Sequence, residues 1–437
     1  MTRTAYNPSR GLEDLLLLKR AKTELDRSQW LPRRDVELIQ MRRLRALLMH
    51  AYESVPYYHR IFEDAKVKPE DIHSLQDLTK LPVLKKEDVR SHTSEMISSK
   101  YGLKEMQQMS TSGSTSIPLR VYRTKEQRAY AIASVSRYHK WLNIGQHDLA
   151  VQIAPGRINQ IGLNLIDDLR LDSYEVTIQK LQWLVTNIRK LRPKFLVGFP
   201  SGQNLFTRFC EEKGVDDIAF ESIECCGEKV FEDEKSRMKR VFGSQVYEYY
   251  LAIESDSIGY DCSEHSGLHI CSENVLVEFL WDGEPASEGE MASVVVTPLF
   301  SYGMPLIRYE LGDAARRLDD ICPCGRGLPL MSYVDGRMTD ILVTPDGRLL
   351  CNSNFYSRIF DHIDVQQYRI IQEKVDRVVV ELVPGRNYLQ KAEEFIVSSI
   401  KKYMGQEVEV SVRLKNEIEP GTSQKRKVVV SYVPVKL

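Results

Sequence analysis

Between Ala150 and Tyr250 short β-prone runs alternate with helix-like stretches, and this alternation constrains the fold more than any other feature of the chain. The runs are Ala150-Val-Gln-Ile-Ala154, Phe195-Leu-Val-Gly-Phe199, Ser222-Ile-Glu-Cys-Cys226 and Val246-Tyr-Glu-Tyr-Tyr250. Helical patterns from Thr177 to Lys190 and from Phe231 to Phe242 lie between them. Strands spaced by helices predict an α/β sheet, whose sites sit beyond the carboxyl ends of its strands. Gly227-Glu228 and Glu254 each follow such a run directly.

The flanking segments read differently. From Leu12 to Arg45 apolar residues recur at helical spacing with no glycine, which predicts amphipathic helices packed on the following domain. Thr124 with Gln127 forms a capping-box pattern ahead of a helix from Ala129 to Trp141. From Val275 the pattern becomes antiparallel β: Val275 to Leu280 and Ser293 to Thr297 flank the turn-like Asp282-Gly-Glu-Pro285. Beyond Gly336, a strand from Arg377 to Val383, a helix from Leu389 to Met404 and the alternating Glu407-Val-Glu-Val-Ser-Val412 predict a small α+β unit, with a hinge close to Arg337. The fold class is therefore α/β, with α/β and antiparallel β parts in a large N-terminal region and a small mobile α+β C-terminal domain. Tyr52, Tyr57 and Tyr58 read as core packing.

A chain of 437 residues suggests two or three domains. A net charge of -1 excludes an electrostatic case for nucleic acid or anionic lipid. No apolar run reaches membrane-spanning or signal-peptide length, so a cytoplasmic protein without membrane insertion is expected. Its eight cysteines then read as reduced thiols or metal ligands.

Two features carry chemistry. Ser110-Thr-Ser-Gly-Ser-Thr-Ser-Ile-Pro118 sets hydroxyls around one glycine, a composition able to cradle phosphate, though such clusters are also ordinary loops. Asp261-Cys-Ser-Glu-His265 and Ile321-Cys-Pro-Cys-Gly325 supply Cys262, His265, Cys322 and Cys324, a Cys3His set suited to one structural zinc. His269 is the alternative to His265, although Gly267-Leu-His-Ile270 resembles a strand start with a packed histidine.

After the hydroxyl loop come Cys226-Gly-Glu228, Tyr249-Tyr-Leu-Ala-Ile-Glu254, Ile307-Arg-Tyr-Glu-Leu-Gly-Asp313, Asp335-Gly-Arg337 and Ser423-Gln-Lys-Arg-Lys427. In this order they resemble the adenylate-forming superfamily of acyl-CoA ligases, specifically the branch of phenylacetate:CoA ligases and CapK-type proteins, over nearly the whole chain. The resemblance implies an adenylation domain at 1–336, made of a helical region 1–105, an α/β core 106–260 and a β-rich part 261–336, followed by a lid at 337–437. It implies ATP, Mg2+, a carboxylate substrate and CoA as the acceptor, with structural Zn2+ in some members. Thr111, Ser112, Gly113, Ser114 and Thr115 would hold the β- and γ-phosphates, and Gly227 with Glu228 would line the adenine slot. Tyr250 belongs to the nucleotide site, Glu254 would hold magnesium, Asp313 the ribose hydroxyls, and Arg337 ribose or phosphate. Lys425 would reach the α-phosphate and the carboxylate.

The chain also departs from the pattern. Ser116-Ile117-Pro118 replaces Gly-Lys-Pro, Ile253 stands where threonine is usual, Gln424 replaces the glycine before the lysine, and Thr339 replaces the hinge aspartate. These changes leave three readings: a CoA ligase, an adenylating enzyme whose acceptor is an amine, hydroxyl or carrier thiol, and a degenerate nucleotide-binding protein. A homodimer is an option that no residue decides.

Overall fold

The computed structural model describes residues 11–110, 119–145, 147–154, 165–173, 176–337, 342–346, 349–350, 359–360, 363–385, 388–389, 391–418 and 429–433. Three helices open the described chain: α1 (Gly11–Ser28), α2 (Arg33–Ser54) and α3 (Pro56–Ala65). The helices expected from Leu12 to Arg45 are α1 and α2, separated at Pro32, whose missing N–H suits a helix start. A short α4 (Lys86–Ser91) follows. The hairpin of β1 (Gln107–Ser110) and β2 (Arg120–Arg123) then brackets the hydroxyl loop.

Helix α5 (Lys125–Trp141) begins at Thr124, whose hydroxyl accepts a hydrogen bond from the Gln127 N–H at 3.2 Å. A cap of this kind contributes about 1 kcal/mol. The reciprocal half of the expected capping box is diverted, because the Gln127 amide donates to Asp256 at 3.0 Å instead.

The α/β region is built from β3 (Ala150–Ala154), β4 (Arg170–Asp172), α6 (Ile178–Leu191), β5 (Phe195–Gly198), α7 (Pro200–Glu212), β6 (Ser222–Cys225), α8 (Glu232–Phe242) and β7 (Gln245–Ala252). These strands are parallel, in the order β4-β3-β5-β6-β7. Both faces are covered, which explains their near-continuous apolar runs. On one face Val151, Ile153, Leu196 and Ile223 meet Leu181, Leu184, Val185 and Ile188 of α6, a stripe at helical spacing. On the other, Phe195, Val197 and Tyr249 join Tyr138 of α5 in the larger core.

Strand β7 is the pivot of the fold. It runs parallel to β6 and antiparallel to β8 (Asp256–Tyr260), so the expected α/β and antiparallel parts share one 13-stranded sheet. The sheet continues through β9 (Leu268–Ile270), β10 (Val275–Trp281), β11 (Glu284–Pro285), β12 (Met291–Pro298), β13 (Tyr309–Leu318) and β14 (Leu330–Met331). The two residues of β15 (Gly336–Arg337) pair with β13.

Past this sheet, β16 (Leu342–Val343) and β17 (Leu349–Leu350) form a small antiparallel pair. A separate four-stranded sheet holds β18 (Val365–Lys374), β19 (Arg377–Pro384), β20 (Glu409–Leu414) and β21 (Val429–Ser431). Ile396, Ile400 and Met404 of α9 (Lys391–Met404) join Ile370, Val378, Val380 and Leu382 in its own core. No helix among the described residues is long and apolar enough to cross a membrane.

Candidate functional site

At the carboxyl end of β6 the chain turns through Cys226-Gly227-Glu228. Gly227 adopts φ +76°, and a Cβ there would lie 2.6 Å from the Phe199 ring, so only glycine fits this turn. The Cys226 N–H donates to the Gly198 carbonyl at the end of β5, and the Ser201 N–H in the first turn of α7 donates to Glu228 at 3.1 Å. A carboxylate suits a helix N-terminus, where unpaired N–H groups and the helix dipole favour negative charge. Lys229 then reaches Asp335 at 3.0 Å, tying this loop to the segment that enters β15.

The second group lies where β7 ends. Tyr250 donates its hydroxyl to Asp313 at 2.7 Å, and Glu254 accepts from the Tyr309 hydroxyl at 3.3 Å. Asp313 belongs to an irregularity of β13. Its strand pairs Ser293 with Ala314 but Val295 with Glu310, so Leu311, Gly312 and Asp313 stand opposite a single residue of β12. A bulge of this kind re-aims side chains, and Gly312, at φ +77°, supplies the backbone that it needs. Asp313 also faces Arg337 across the β13–β15 register.

A third set of contacts joins these groups to the β1–β2 hairpin. Arg123, at the end of β2, donates to the Ile253 carbonyl at 2.6 Å and pairs with Asp256 at 3.0 Å. Asp256 holds φ +62°, an uncommon conformation for a residue with a side chain. Burial raises its carboxyl pKa, while Arg123 and Gln127 oppose the rise. The hairpin that brackets residues 111–118 is therefore clipped to the turn that carries Glu254. The sequence reading took Gln127 for a helix cap alone and gave Arg123, Asp256 and Tyr309 no role, because each acts through a partner remote in the chain.

The metal candidates resolve into one cluster and one outlier. The ligand atoms of Cys262, His269, Cys322 and Cys324 all lie within 4.8 Å of one another. Cys262 and Cys322 sulfurs are 3.6 Å apart, too far for a disulfide, and Cys324 Sγ is 3.3 Å from His269 Nε2. His265, the histidine expected from the Cys-x2-His spacing, is instead held by buried Asp261 at 2.8 Å, and His269 takes its place beside the thiols. Position explains the correction. His269 sits on β9, paired with Leu330 of β14, which brings it against the Cys322–Cys324 loop. Burial, with Arg326 nearby, lowers the His269 pKa to about 4 and leaves the imidazole in its neutral, ligating form. Three thiols and one neutral imidazole are a donor set that fits a closed tetrahedral zinc.

Other candidates fall outside the described residues: Thr111, Ser112, Gly113, Ser114 and Thr115, and also Lys425. For Arg337 the backbone pairing alone is described.

Comparison with known proteins agrees with this architecture. Residues 342–432 match the family model of the CapK C-terminal domain. A phenylacetate-coenzyme A ligase of Thermus thermophilus is 27% identical over 333 residues, covering 72% of this chain and 73% of the relative. Protein CapK of Staphylococcus aureus is 18% identical, covering 80% of this chain and 78% of its own length. Among solved structures, a 2-hydroxyisobutyryl-CoA ligase in the postadenylation state superposes with a TM-score of 0.77 at 19% identity, over 93% of this chain and 91% of that one. The chain is thus a homologue of the phenylacetate-coenzyme A ligases and of CapK, with the fold of adenylate-forming CoA ligases and a CapK C-terminal domain at residues 342–432.

Proposed function

We propose that the protein is an ATP-dependent, AMP-forming ligase that activates a carboxylate as its acyl adenylate and passes the acyl group to coenzyme A. One observation carries this reading beyond homology: motifs scattered over the sequence are linked by direct contacts. Lys229, next to Glu228, connects through Asp335 to the β13–β15 pair, Asp313 connects to Tyr250, and the Glu254 turn connects through Arg123 to the hairpin that brackets residues 111–118. A carboxylate cannot expel oxide, so it must first become a mixed anhydride, and enzymes accelerate that phosphoryl transfer mainly by positioning and charge neutralisation.

In this reading residues 111–115 hold the β- and γ-phosphates, and Gly227-Glu228 bounds the adenine. Asp313, which accepts from the Tyr250 hydroxyl, takes the ribose hydroxyls on its carboxylate oxygens. Glu254 holds Mg2+, which neutralises phosphate charge when bound. Arg337 contacts ribose or phosphate, and Lys425 arrives on a C-terminal lid to meet the α-phosphate. Cys262, His269, Cys322 and Cys324 hold one structural zinc that clips the β9 and Cys322–Cys324 loops together. ATP and CoA place such an enzyme in the cytoplasm.

A different acceptor is the second reading, supported by the CapK type of the C-terminal domain. Measuring AMP release for a panel of carboxylates with and without CoA tests both. The proposed activity requires carboxylate-dependent AMP and a CoA thioester product. AMP without a thioester moves the acceptor to the second reading, and no AMP with any acid counts against adenylation.

A further inference from the structure

Arg308, immediately ahead of β13, combines two costly features: a left-handed backbone at φ +54° and a buried guanidinium. A residue with a side chain keeps such a conformation only where its surroundings over-determine it, and such places cluster at functional sites. Here three segments converge. Arg308 Nε donates to both carboxylate oxygens of Glu278 on β10, at 3.1 and 3.2 Å, and Nη1 donates to the Leu81 carbonyl at 2.5 Å. The Arg308 N–H donates to the Thr297 hydroxyl of β12 at 2.9 Å, and the Arg308 carbonyl accepts from the Leu84 N–H at 2.8 Å. Burial raises the Glu278 carboxyl pKa, and the Arg308 guanidinium opposes the rise.

The next residue shows what this turn aims. Tyr309 pairs with Val296 of β12 on one side and bridges to Leu84 on the other, where the Glu310 N–H donates to the Leu84 carbonyl at 3.0 Å. With its backbone held on both edges, its buried ring carries the hydroxyl to the Glu254 carboxylate. Burial, with Glu254 beside it, raises the Tyr309 pKa, so the hydroxyl keeps its proton and stays a donor. Four residues along β13, Asp313 accepts from Tyr250, which stands four residues before Glu254. The two tyrosine–carboxylate contacts thus run in opposite senses between the end of β7 and β13, and together they set the spacing of the two carboxylates. Glu254 is a partly exposed oxygen donor, the kind of ligand that Mg2+ takes.

We propose that Arg308 and Tyr309 are positioning residues for the divalent cation that accompanies ATP. The guanidinium, anchored by Glu278 and Leu81, holds the left-handed turn; the turn aims Tyr309; and the Tyr309 hydroxyl orients the Glu254 carboxylate. The proposal rests on the adenylating reading, in which Glu254 holds Mg2+. Each residue acts on nucleotide binding only through Glu254. Removing either should therefore lower the gain in nucleotide affinity that Mg2+ confers and leave the metal-free affinity unchanged.

The test is calorimetric binding of the non-hydrolysable analogue α,β-methylene-ATP to the full-length protein, with Mg2+ and without it. Tyr309→Phe should reduce the Mg2+-dependent gain about tenfold, the scale of one hydrogen bond to a charged group. For the arginine, Arg308→Ala/Glu278→Gln is compared with Arg308→Gly/Glu278→Gln: both remove the guanidinium and strand no charge, but only glycine tolerates the left-handed backbone. The alanine variant should lose about tenfold of the gain or more, and the glycine variant clearly less. Adding Tyr309→Phe to the alanine variant should cost nothing further, because the arginine acts through the tyrosine. A wild-type gain in Tyr309→Phe, or equal losses in the alanine and glycine variants, overturns the proposal. So do an equal fall in metal-free and metal-loaded affinity, which marks a merely structural role, and a wild-type protein whose nucleotide affinity Mg2+ does not raise. If neither arginine variant folds, Arg308→Lys takes their place: it keeps the charge beside Glu278 and gives up the planar fork, so it should lose part of the gain, and wild-type behaviour overturns the proposal. Pyrophosphate exchange by the same wild-type preparation separates the two levels. Exchange with an unmoved gain in the variants sinks this proposal alone, whereas no exchange with a broad carboxylate panel sinks the ligase reading and this proposal with it.

Discussion

Replacing Arg123 with methionine removes the clip between the hydroxyl-loop hairpin and the Glu254 turn, and the structure gives the scale of the effect. Arg123 and Asp256 side chains are only 11% and 14% exposed, so the change strands a buried carboxylate. Breaking a buried pair from one side costs about 3 to 5 kcal/mol. Two features reduce that figure here: Gln127 still donates to Asp256 at 3.0 Å, and burial already favours the protonated carboxyl, which can take up a proton in place of its lost partner. We expect a loss of about 2 to 4 kcal/mol in denaturant unfolding. The sign of the pH dependence follows. An acid whose folded pKa is raised above its unfolded value contributes stability that is present below the unfolded pKa and lost as pH rises through the folded one. Arg123→Met raises the folded Asp256 pKa further, so its deficit should be smaller at about pH 5 than at about pH 8. Arg123→Met/Asp256→Asn should recover at least about 1.5 kcal/mol of coupling, because asparagine tolerates φ +62° and carries no charge. Carboxylate-dependent exchange should fall on the order of a hundredfold in the single variant, since Ile253 loses its anchor beside Glu254. Unchanged stability together with an unchanged rate refutes the clip.

The remaining predictions concern the metal cluster, the ribose contact and the lid. Protein purified without added zinc should hold about one equivalent, His269→Ala should lose it, and His265→Ala should keep it; the reverse pattern in metal analysis restores the Cys-x2-His assignment. Asp313→Ala should raise the Michaelis constant for ATP by roughly thirty- to a hundred-and-fiftyfold, corresponding to about 2 to 3 kcal/mol of charge-assisted hydrogen bonds, with little effect on carboxylate affinity. An unchanged value removes Asp313 from the site. Lys425→Ala should slow adenylate formation by roughly a hundredfold and leave transfer from supplied acyl adenylate nearly intact; equal loss in both half-reactions contradicts a lysine delivered only in the closed state.

Much of the architecture was legible because it is local. Strands β3, β5, β6 and β7 and helices α6 and α8 announce themselves through apolar periodicity, whereas β4 and α7 were not read, and Gly227 stands out through the one residue type its positive φ and the Phe199 ring allow. Partnerships across the sheet were not legible. The capping-box pattern at Thr124 identified the start of α5, yet the amide of Gln127 turns to Asp256, whose proximity arises from the β7–β8 turn. His265 had the right spacing for a ligand, but Asp261 captures it, while His269 looked like a packed strand residue and is both packed and beside three thiols. Glu224 lies in an apolar-looking strand pattern, and nothing local reveals that His139 stands over it.

The central claim is tested most directly by exchange of labelled pyrophosphate into ATP, because that half-reaction needs neither an acceptor nor its identity. The account predicts exchange that depends on an added carboxylate and on Mg2+, and that falls sharply in Asp313→Ala. Absence of exchange with a broad carboxylate panel, in folded protein that binds ATP, would contradict adenylation and leave a nucleotide-binding protein that does no chemistry on it.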